Sequence, residues 1–436
     1  MSVVVGVDLG TGSARAVAVD RDGLVIASTS SPYDGRAQWA AGHADPQSWR
    51  RAVGDALDGL SSELADARHP DALGAGGQSV AVVTSDGADA VTVLHPAAAG
   101  DDPHDAHREL WAVLGSEHPG TVPLQTWDWI LTTLGAERHQ SRWPGGRELE
   151  GFGPVIPTGT VAGTADGDWG VARGTPLVAG SADAYMAFWA GGIDTPGRAL
   201  DPGGRTGGIG IAVAGSEAAP TGYALRSAAR GVDIVGGAVT AHGLAIEWWS
   251  RMTGRPVEEL LDEAAAVPPG SGGLLALPYF EGERSPRWER ALRAELVGLD
   301  ARSTPGQVTR ALLEGSAYGL RHIVDTLALD GVELERLMVS GSPARSRLWS
   351  QIKADVLGVP VEVPEFPELA ARGAALAAGA AIGWWPRPGE GAPGSWPVGA
   401  RSVLEPATHD VYDDAYARWV QLGDVAQARL GERRVR

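Results

Sequence analysis

At 436 residues, 44% of them hydrophobic, the chain is too long for one ordinary core, and two packed domains are the natural expectation. A formal net charge of −18 disfavours nucleic acid and anionic membrane surfaces as partners, so an anionic ligand has to be held locally, by backbone amides, a helix N-terminus or a metal ion. The absence of cysteine excludes disulfides, thiolate metal sites and thiol catalysis. With no signal-like start and no apolar run of about 18 residues, the expectation is a soluble cytoplasmic protein.

The chain opens with three β-branched runs, Val3–Val7, Ala16–Val19 and Leu24–Ala27. The turns between them, at Gly10-Thr11-Gly12 and Asp20–Gly23, are too short for anything but hairpins, which predicts an antiparallel meander. A helix follows, with Asp45 as N-cap and Pro46 at its first position, reaching to about Ala65. Ser79–Thr84 and Ala90–Leu94 read as another hairpin turned at Asp86-Gly87. Residues 96–170 show little period, and Leu124–Leu134 is their clearest helix. The strand Pro176–Ala179 runs into Gly180-Ser181-Ala182-Asp183 and a helical stretch, Ala184–Ala190, before the glycine cluster at 203–208. A domain boundary is placed near Ala214, giving domains 1–214 and 215–436.

The second half repeats the alternation. Thr304-Pro305-Gly306-Gln307 reads as a capping box opening a helix with Val308, Leu312, Leu320, Ile323 and Leu327 on one face. Leu337–Val339 is a strand leading into Ser340–Ala344 and a helix around Leu348–Leu357. Ala370–Ile382 is an Ala-rich helix suited to close packing, and Trp384–Val398 is a loop before a terminal helix. The sequence identifies no dimer interface, although an exposed hydrophobic helix in this half would be compatible with a homodimer.

Four local features carry chemistry. In Asp8-Leu9-Gly10-Thr11-Gly12-Ser13-Ala14-Arg15, the missing side chains at Gly10 and Gly12 let backbone N–H groups approach phosphate oxygens. Thr11 and Ser13 add hydroxyls, Arg15 adds charge, and the anionic Asp8 suggests a bridging Mg²⁺. The same sequence also serves an ordinary glycine hairpin. Asp183 follows an apolar strand, where a carboxylate could take the proton of an attacking hydroxyl, although on local evidence alone it reads as a helix N-cap. Gly203–Gly208 and Gly341-Ser342-Pro343-Ala344 are turns that a nucleotide could approach.

In this order and spacing the chain resembles the FGGY carbohydrate kinases, xylulokinase-like in pattern. Asp8–Thr11 is similar to the family's first phosphate motif, and Gly180–Ala184 to the segment bearing its catalytic aspartate. Leu277–Trp288, Leu313-Glu314-Gly315 and Ser340–Gln351 resemble its second-domain motifs. The resemblance implies an α/β, actin-like ATPase fold of two ribonuclease-H-like domains, with ATP and Mg²⁺ as cofactors and a small sugar or polyol, D-xylulose first, as acceptor. It implies Asp183 as general base and Asp8 as catalytic and metal-placing. Gly10, Thr11, Gly12, Ser13 and Arg15, with Gly204, Thr206 and Gly207, would line the phosphates; Gly341, Ser342, Pro343 and Ala344 would line the adenosine.

Departures from the pattern concentrate at the acceptor side. Gly76-Gly77-Gln78-Ser79-Val80-Ala81 keeps the family's glutamine and loses its histidine; Gly100–His104 keeps a carboxylate at Asp102 and loses the tryptophan and arginine. Gln78, Asp102 and Asp183 are therefore the expected acceptor contacts, with solvated loop polars the alternative for the first two. Arg205 and Ser342 replace residues usual in the nucleotide motifs. His242 and Trp248-Trp249 read as helix packing. The altered segments also motivate a second reading, a nucleotide-binding relative that regulates without catalysing. A filament or chaperone ATPase is a third, opposed by the second-domain motifs.

Overall fold

The computed structural model describes residues 2–33, 42–64, 69–79, 81–92, 103–216 and 224–434. The chain forms two compact units, one of Met1–Asp194, Gly215–Asp233 and Glu368–Gly399, the other of Thr195–Ala214, Ile234–Pro367 and Ala400–Arg436. Three segments lie across a single boundary near Ala214. Thr195–Ala214 packs with the second unit, and Gly215–Asp233 and Glu368–Gly399 pack with the first.

In the first unit the expected meander is present as β1 (Val4–Leu9), β2 (Ser13–Val19) and β3 (Val25–Pro32), each antiparallel to the next. β1 is buried along its whole length, while β3 alternates half-buried and exposed residues, as an edge strand with one wet face should. Helix α1 (Pro46–Glu63) starts where Asp45 accepts the N–H groups of Gln47 and Ser48 at 2.9 and 3.1 Å. Its stripe of Trp49, Ala52, Val53, Ala56, Leu57 and Leu60 is buried over β2 and β3.

β4 (Ala72–Gly77) lies parallel to β1, and β6 (Pro176–Ala182), reached after the short β5 (Val161–Thr164), lies parallel to β4. The order across the sheet is β5-β6-β4-β1-β2-β3. The hairpin at Ala81–Thr84 and Ala90–Thr92 belongs to a separate small sheet. A helix at Pro103–Glu117 occupies part of the stretch that shows no clear period in sequence, and the helix expected at Leu124–Leu134 runs from Thr126 to Thr133.

One sheet face is closed by the Ala-rich helix Leu369–Ala381, which packs on β1, β4 and the helix α2 (Asp183–Ala190). Contact is backbone to backbone: a Cβ at Gly6 would stand 2.1 Å from the Ala371 carbonyl oxygen, and one at Gly74 2.2 Å from that of Ala374. Gly6→Ala would force these layers apart. Arg372 locks the same helix, donating to the carbonyls of Ala190 and Pro397 at 2.7 and 2.9 Å and to that of Gly23.

The second unit repeats the design. β7 (Arg198–Asp201) is antiparallel to β8 (Gly207–Ala214) and neighbours in its sheet β10 (Arg336–Val339), which is parallel to it; β9 (Val232–Val239) lies beyond β8. β11 (Val361–Pro364) runs parallel to β10, with β12 (Arg401–Leu404) antiparallel at the edge. Two long helices pack on this sheet. α3 (Pro305–Ala328) has the expected reciprocal capping box, Gln307 N–H to Thr304 at 3.2 Å and Thr304 N–H to Gln307 at 2.9 Å; α4 (Arg347–Leu357) is capped by Ser346. On α3, Val308, Leu312, Leu320 and Ile323 are buried, as their helical spacing implies. Among the described residues no helix is long and apolar enough to cross a membrane.

Candidate active site

Three neighbouring parallel strands of the first unit end together. Pairing sets Asp8 of β1 opposite Gly76 of β4, and Ser181 of β6 opposite the same Gly76. The carboxyl ends of adjacent parallel strands are where open α/β sheets present ligand groups. Asp8 therefore lies beside Gln78, just past β4, and Asp183, just past β6. Gly76 leaves room between them: a Cβ there would come within 3.3 Å of Met186 Cγ and 3.7 Å of Asp8 Oδ1.

Neither acid is spent on structure. Asp8 is 4% exposed, its Oδ1 has no hydrogen-bond partner, and its nearest cation is Arg15 Nη1, 3.9 Å from Oδ2. Burial pushes its carboxyl up to about 6, against the pull of Arg15. Asp183 is half-buried and stands at the first position of α2, where Ala182 and not Asp183 is the N-cap; its Oδ1 accepts the adjacent Ala184 N–H at 2.7 Å. Desolvation raises it to about 7, and the neighbouring Asp8 charge adds to the rise. The cap expectation from local sequence thus fails.

Gln78 is 1% exposed, and neither its Oε1 nor its Nε2 finds a partner. Its backbone is tied down instead: the N–H donates to Leu9 O at 2.8 Å, and the carbonyl accepts from Thr126 Oγ1 at 2.9 Å. An orphaned buried amide costs about 1–3 kcal/mol, which a ligand can recover. Thr126 lies far along the chain and carries no local signal for this role. Asp102 falls outside the described residues.

The turn that leaves β1 is fixed by Gly10 N–H to Ser13 O at 3.0 Å, by Tyr33 N–H to Gly12 O at 3.1 Å and by the Tyr33 hydroxyl on the Gly10 carbonyl. A Cβ at Gly12 would meet nothing within 4 Å, and its backbone does not need a positive φ. The fold alone gives no reason for glycine there; room for a ligand to approach the backbone does. Thr11, Ser13 and Arg15 border this space half-buried.

The remaining predicted residues gather in the second unit. Gly203 and Gly204 have φ of 66° and 96° in the turn between β7 and β8; Thr206 is exposed and Gly207 buried. Ser340, with Gly341 at φ 67°, leads into the turn that carries Ser342, exposed, and Pro343 and Ala344, buried. Gly341 N–H and Ser340 Oγ both donate to Pro367 O, at 2.8 and 2.9 Å. Arg205 is occupied by Glu247, with Nε 3.5 Å from Oε2.

Residues 208–382 match the FGGY family of carbohydrate kinases, C-terminal domain. Over this stretch the chain is similar to FGGY carbohydrate kinases. A glycerol kinase of Gloeobacter violaceus is 40% identical over 177 residues, covering 40% of this chain and 33% of that protein. Matches of this kind span only about a third of the curated relatives' length. A xylulose kinase structure from Rhodospirillum rubrum is 25% identical, with TM-score 0.74 over 98% of this chain and 99% of the other. A ligand-bound xylulose kinase structure from Lactobacillus acidophilus gives TM-score 0.80 at 17% identity over 99% and 100%. The fold is the actin-like ATPase fold of the FGGY kinases. The second unit also holds a buried polar cluster of which local sequence singles out only His242, as packing: Asp201, His242, Ser316 and Lys353 lie together beside the Gly203–Gly207 turn. Each comes from a different element, so no spacing could announce them.

Proposed function

We propose that the protein is an ATP-dependent kinase of a small sugar or polyol, transferring the γ-phosphoryl group to an acceptor hydroxyl. The observation that carries this reading is the trio Asp8, Gln78 and Asp183 at the ends of three adjacent strands, each with unspent polar capacity. Ionised Asp183 takes the proton of the acceptor hydroxyl as its oxygen attacks phosphorus. Gln78 orients the acceptor with its free amide. The Gly10–Ser13 turn with its Thr11 and Ser13 hydroxyls, Arg15, and Gly204, Thr206 and Gly207 are the proposed phosphate contacts, and Gly341–Ala344 the proposed adenosine contacts. Asp8 suits Mg²⁺, since its Oδ1 is buried without a partner and this ion binds through one or two carboxylates plus phosphates and water. The metal would supply neutralisation of phosphate charge.

The acceptor panel has two leading members. Structural likeness and motif pattern favour D-xylulose; the relatives over the carboxy-terminal match favour glycerol. ADP release measured by a coupled assay across ketoses and polyols, with Mg²⁺ present, is expected to show turnover on at least one. No turnover on any acceptor, together with an Asp183→Asn variant that leaves the background rate unchanged, would overturn the proposal.

A further inference from the structure

Asp201 ends β7 with a carboxylate that is fully buried and fully engaged. Its Oδ1 accepts the Gly203 N–H at 2.9 Å; its Oδ2 accepts from Lys353 Nζ at 2.6 Å and lies 3.1 Å from His242 Nε2. Lys353 has 0% exposure, and so do the His242 and Asp201 side chains. The His242 ring stacks on Trp349 at 4.7 Å, and its Nδ1 is 2.7 Å from Ser316 Oγ. Lys353 in turn lies 5.0 Å from the Trp349 ring.

A buried ion pair is poor evidence of stability, because apolar residues of like volume would fill the space at less desolvation cost. What charge adds is orientation. With Oδ2 taken by Lys353, Oδ1 is left aimed at Gly203, so the turn starts in one conformation. The Asp201 carbonyl accepts the Ser340 N–H at 3.0 Å, and a Cβ at Gly203 would be 2.0 Å from Ser340 O, so the turn at 341–344 is registered against the same residue. His242 closes the far side: its N–H donates to Arg205 O at 2.9 Å, and its ring leaves Gly207 no room for a Cβ, which would fall 2.7 Å from Cγ.

We propose that Asp201, Lys353 and His242 form a buried positioning cluster that sets the turns 203–207 and 341–344 in the geometry that binds nucleotide. The inference rests on the nucleotide reading of those turns. The titratable groups facing the His242 ring are Asp201 from β7 and Lys353 from α4; Ser316 from α3, Trp349 from α4 and the Arg205–Gly207 turn complete its surroundings. Burial, with the Lys353 charge adding to it, lowers the imidazole from its ordinary value against the opposing pull of Asp201.

Removing Lys353 therefore has a distinctive consequence. In Lys353→Met one of the causes that lower the imidazole is gone, so His242 is expected to take up a proton as pH falls and to stand in for the lost cation beside Asp201. MgADP binding to the full chain, followed calorimetrically, is expected to be about tenfold weaker than wild type at about pH 8 and to recover to within about threefold at about pH 6. Wild-type affinity serves as the reference at each pH. Equal affinity of variant and wild type at pH 8, or a deficit of the same size at both pH values, overturns the inference. Should Lys353→Met not fold, Ser316→Ala keeps the ion pair and frees the ring; a loss of about threefold is expected there, and unchanged affinity overturns the inference instead. A wild type that fails to bind MgADP at all overturns the nucleotide reading itself, whereas binding by the wild type with unaffected variants sinks the positioning cluster alone.

Discussion

Asp8 and Asp201 occupy corresponding places in the two units. Each lies at the end of the first strand of its sheet, before a glycine turn that leads into an antiparallel second strand. Their environments then diverge. Asp201 has an imidazole, an ammonium and a backbone N–H around it, and the first two hold its carboxyl far below the usual range despite complete burial. Asp8 has one guanidinium at 3.9 Å and an oxygen with no partner, and burial pushes it up to about 6. Burial alone does not assign a role to a carboxylate. Where its hydrogen-bonding capacity is filled it is architecture, and where capacity is left open a ligand or water can fill it.

The largest way to break this contrast is at Asp183. Asp183→Asn removes the proposed proton acceptor while keeping shape, so kcat is expected to fall about a thousandfold, within the range for general bases. MgADP affinity should stay within about twofold of wild type, since the residue is proposed to act on the acceptor. A loss confined to nucleotide affinity would place the residue elsewhere in the reaction. Because Asp183 must be ionised to act, kcat/KM should decline as pH falls through about 7, the value to which burial and then Asp8 raise it. In Asp8→Asn that limb should move to lower pH, because one cause of the rise has been removed.

The contrast between the acids is partly visible in sequence and partly not. The meander, the Asp45 cap and the Thr304–Gln307 box are legible because they are local: a cap and its targets lie within three residues. Asp8 and Asp183 are found by motif, but neither motif says which acid is left unsatisfied, since that depends on strands brought together from residues 4–9, 72–77 and 176–182. The Ala-rich stretch reads as a close-packing helix and is one. Nothing local says that it docks on β1 and β4, so a single cut near Ala214 misplaces it. His242 reads as packing, which is half its role; Asp201, Ser316 and Lys353, which make the other half, each belong to another element.

Next in size is a stability effect of opposite sign at the two corresponding acids. The folded value of Asp8, about 6, lies above the ordinary carboxylate value of 3.8, so the native state holds its proton more tightly. Stability from this group is present in acid and is lost as pH rises from about 4 to about 6, then stays level, a cost of about 3 kcal/mol at neutral pH. Asp8→Asn should therefore raise urea-unfolding stability by about 1–3 kcal/mol at pH 8, with the gain shrinking toward pH 4. Asp201→Asn should do the reverse and destabilise by about 3 kcal/mol or more, since it leaves Lys353 buried without its counter-charge. Equal signs at the two sites would erase the distinction between an open and a filled carboxylate.

The smallest effect is the most specific to the acceptor. Gln78→Met keeps volume and removes an amide whose oxygen and nitrogen both lack partners in the protein. If that amide is only an unsatisfied polar group, the variant should gain about 1 kcal/mol of stability and change nothing else. If it waits for a hydroxyl of the acceptor, the same gain should come with a rise of about tenfold in KM for the sugar or polyol and unchanged affinity for MgADP. The two outcomes separate cleanly because the backbone of Gln78 is held by Leu9 and Thr126 without help from its side chain, so replacing the amide leaves the strand end in place. A rise in acceptor KM without loss of stability would identify Gln78 as the neutral counterpart of Asp8: capacity kept open in the fold for a group the substrate brings.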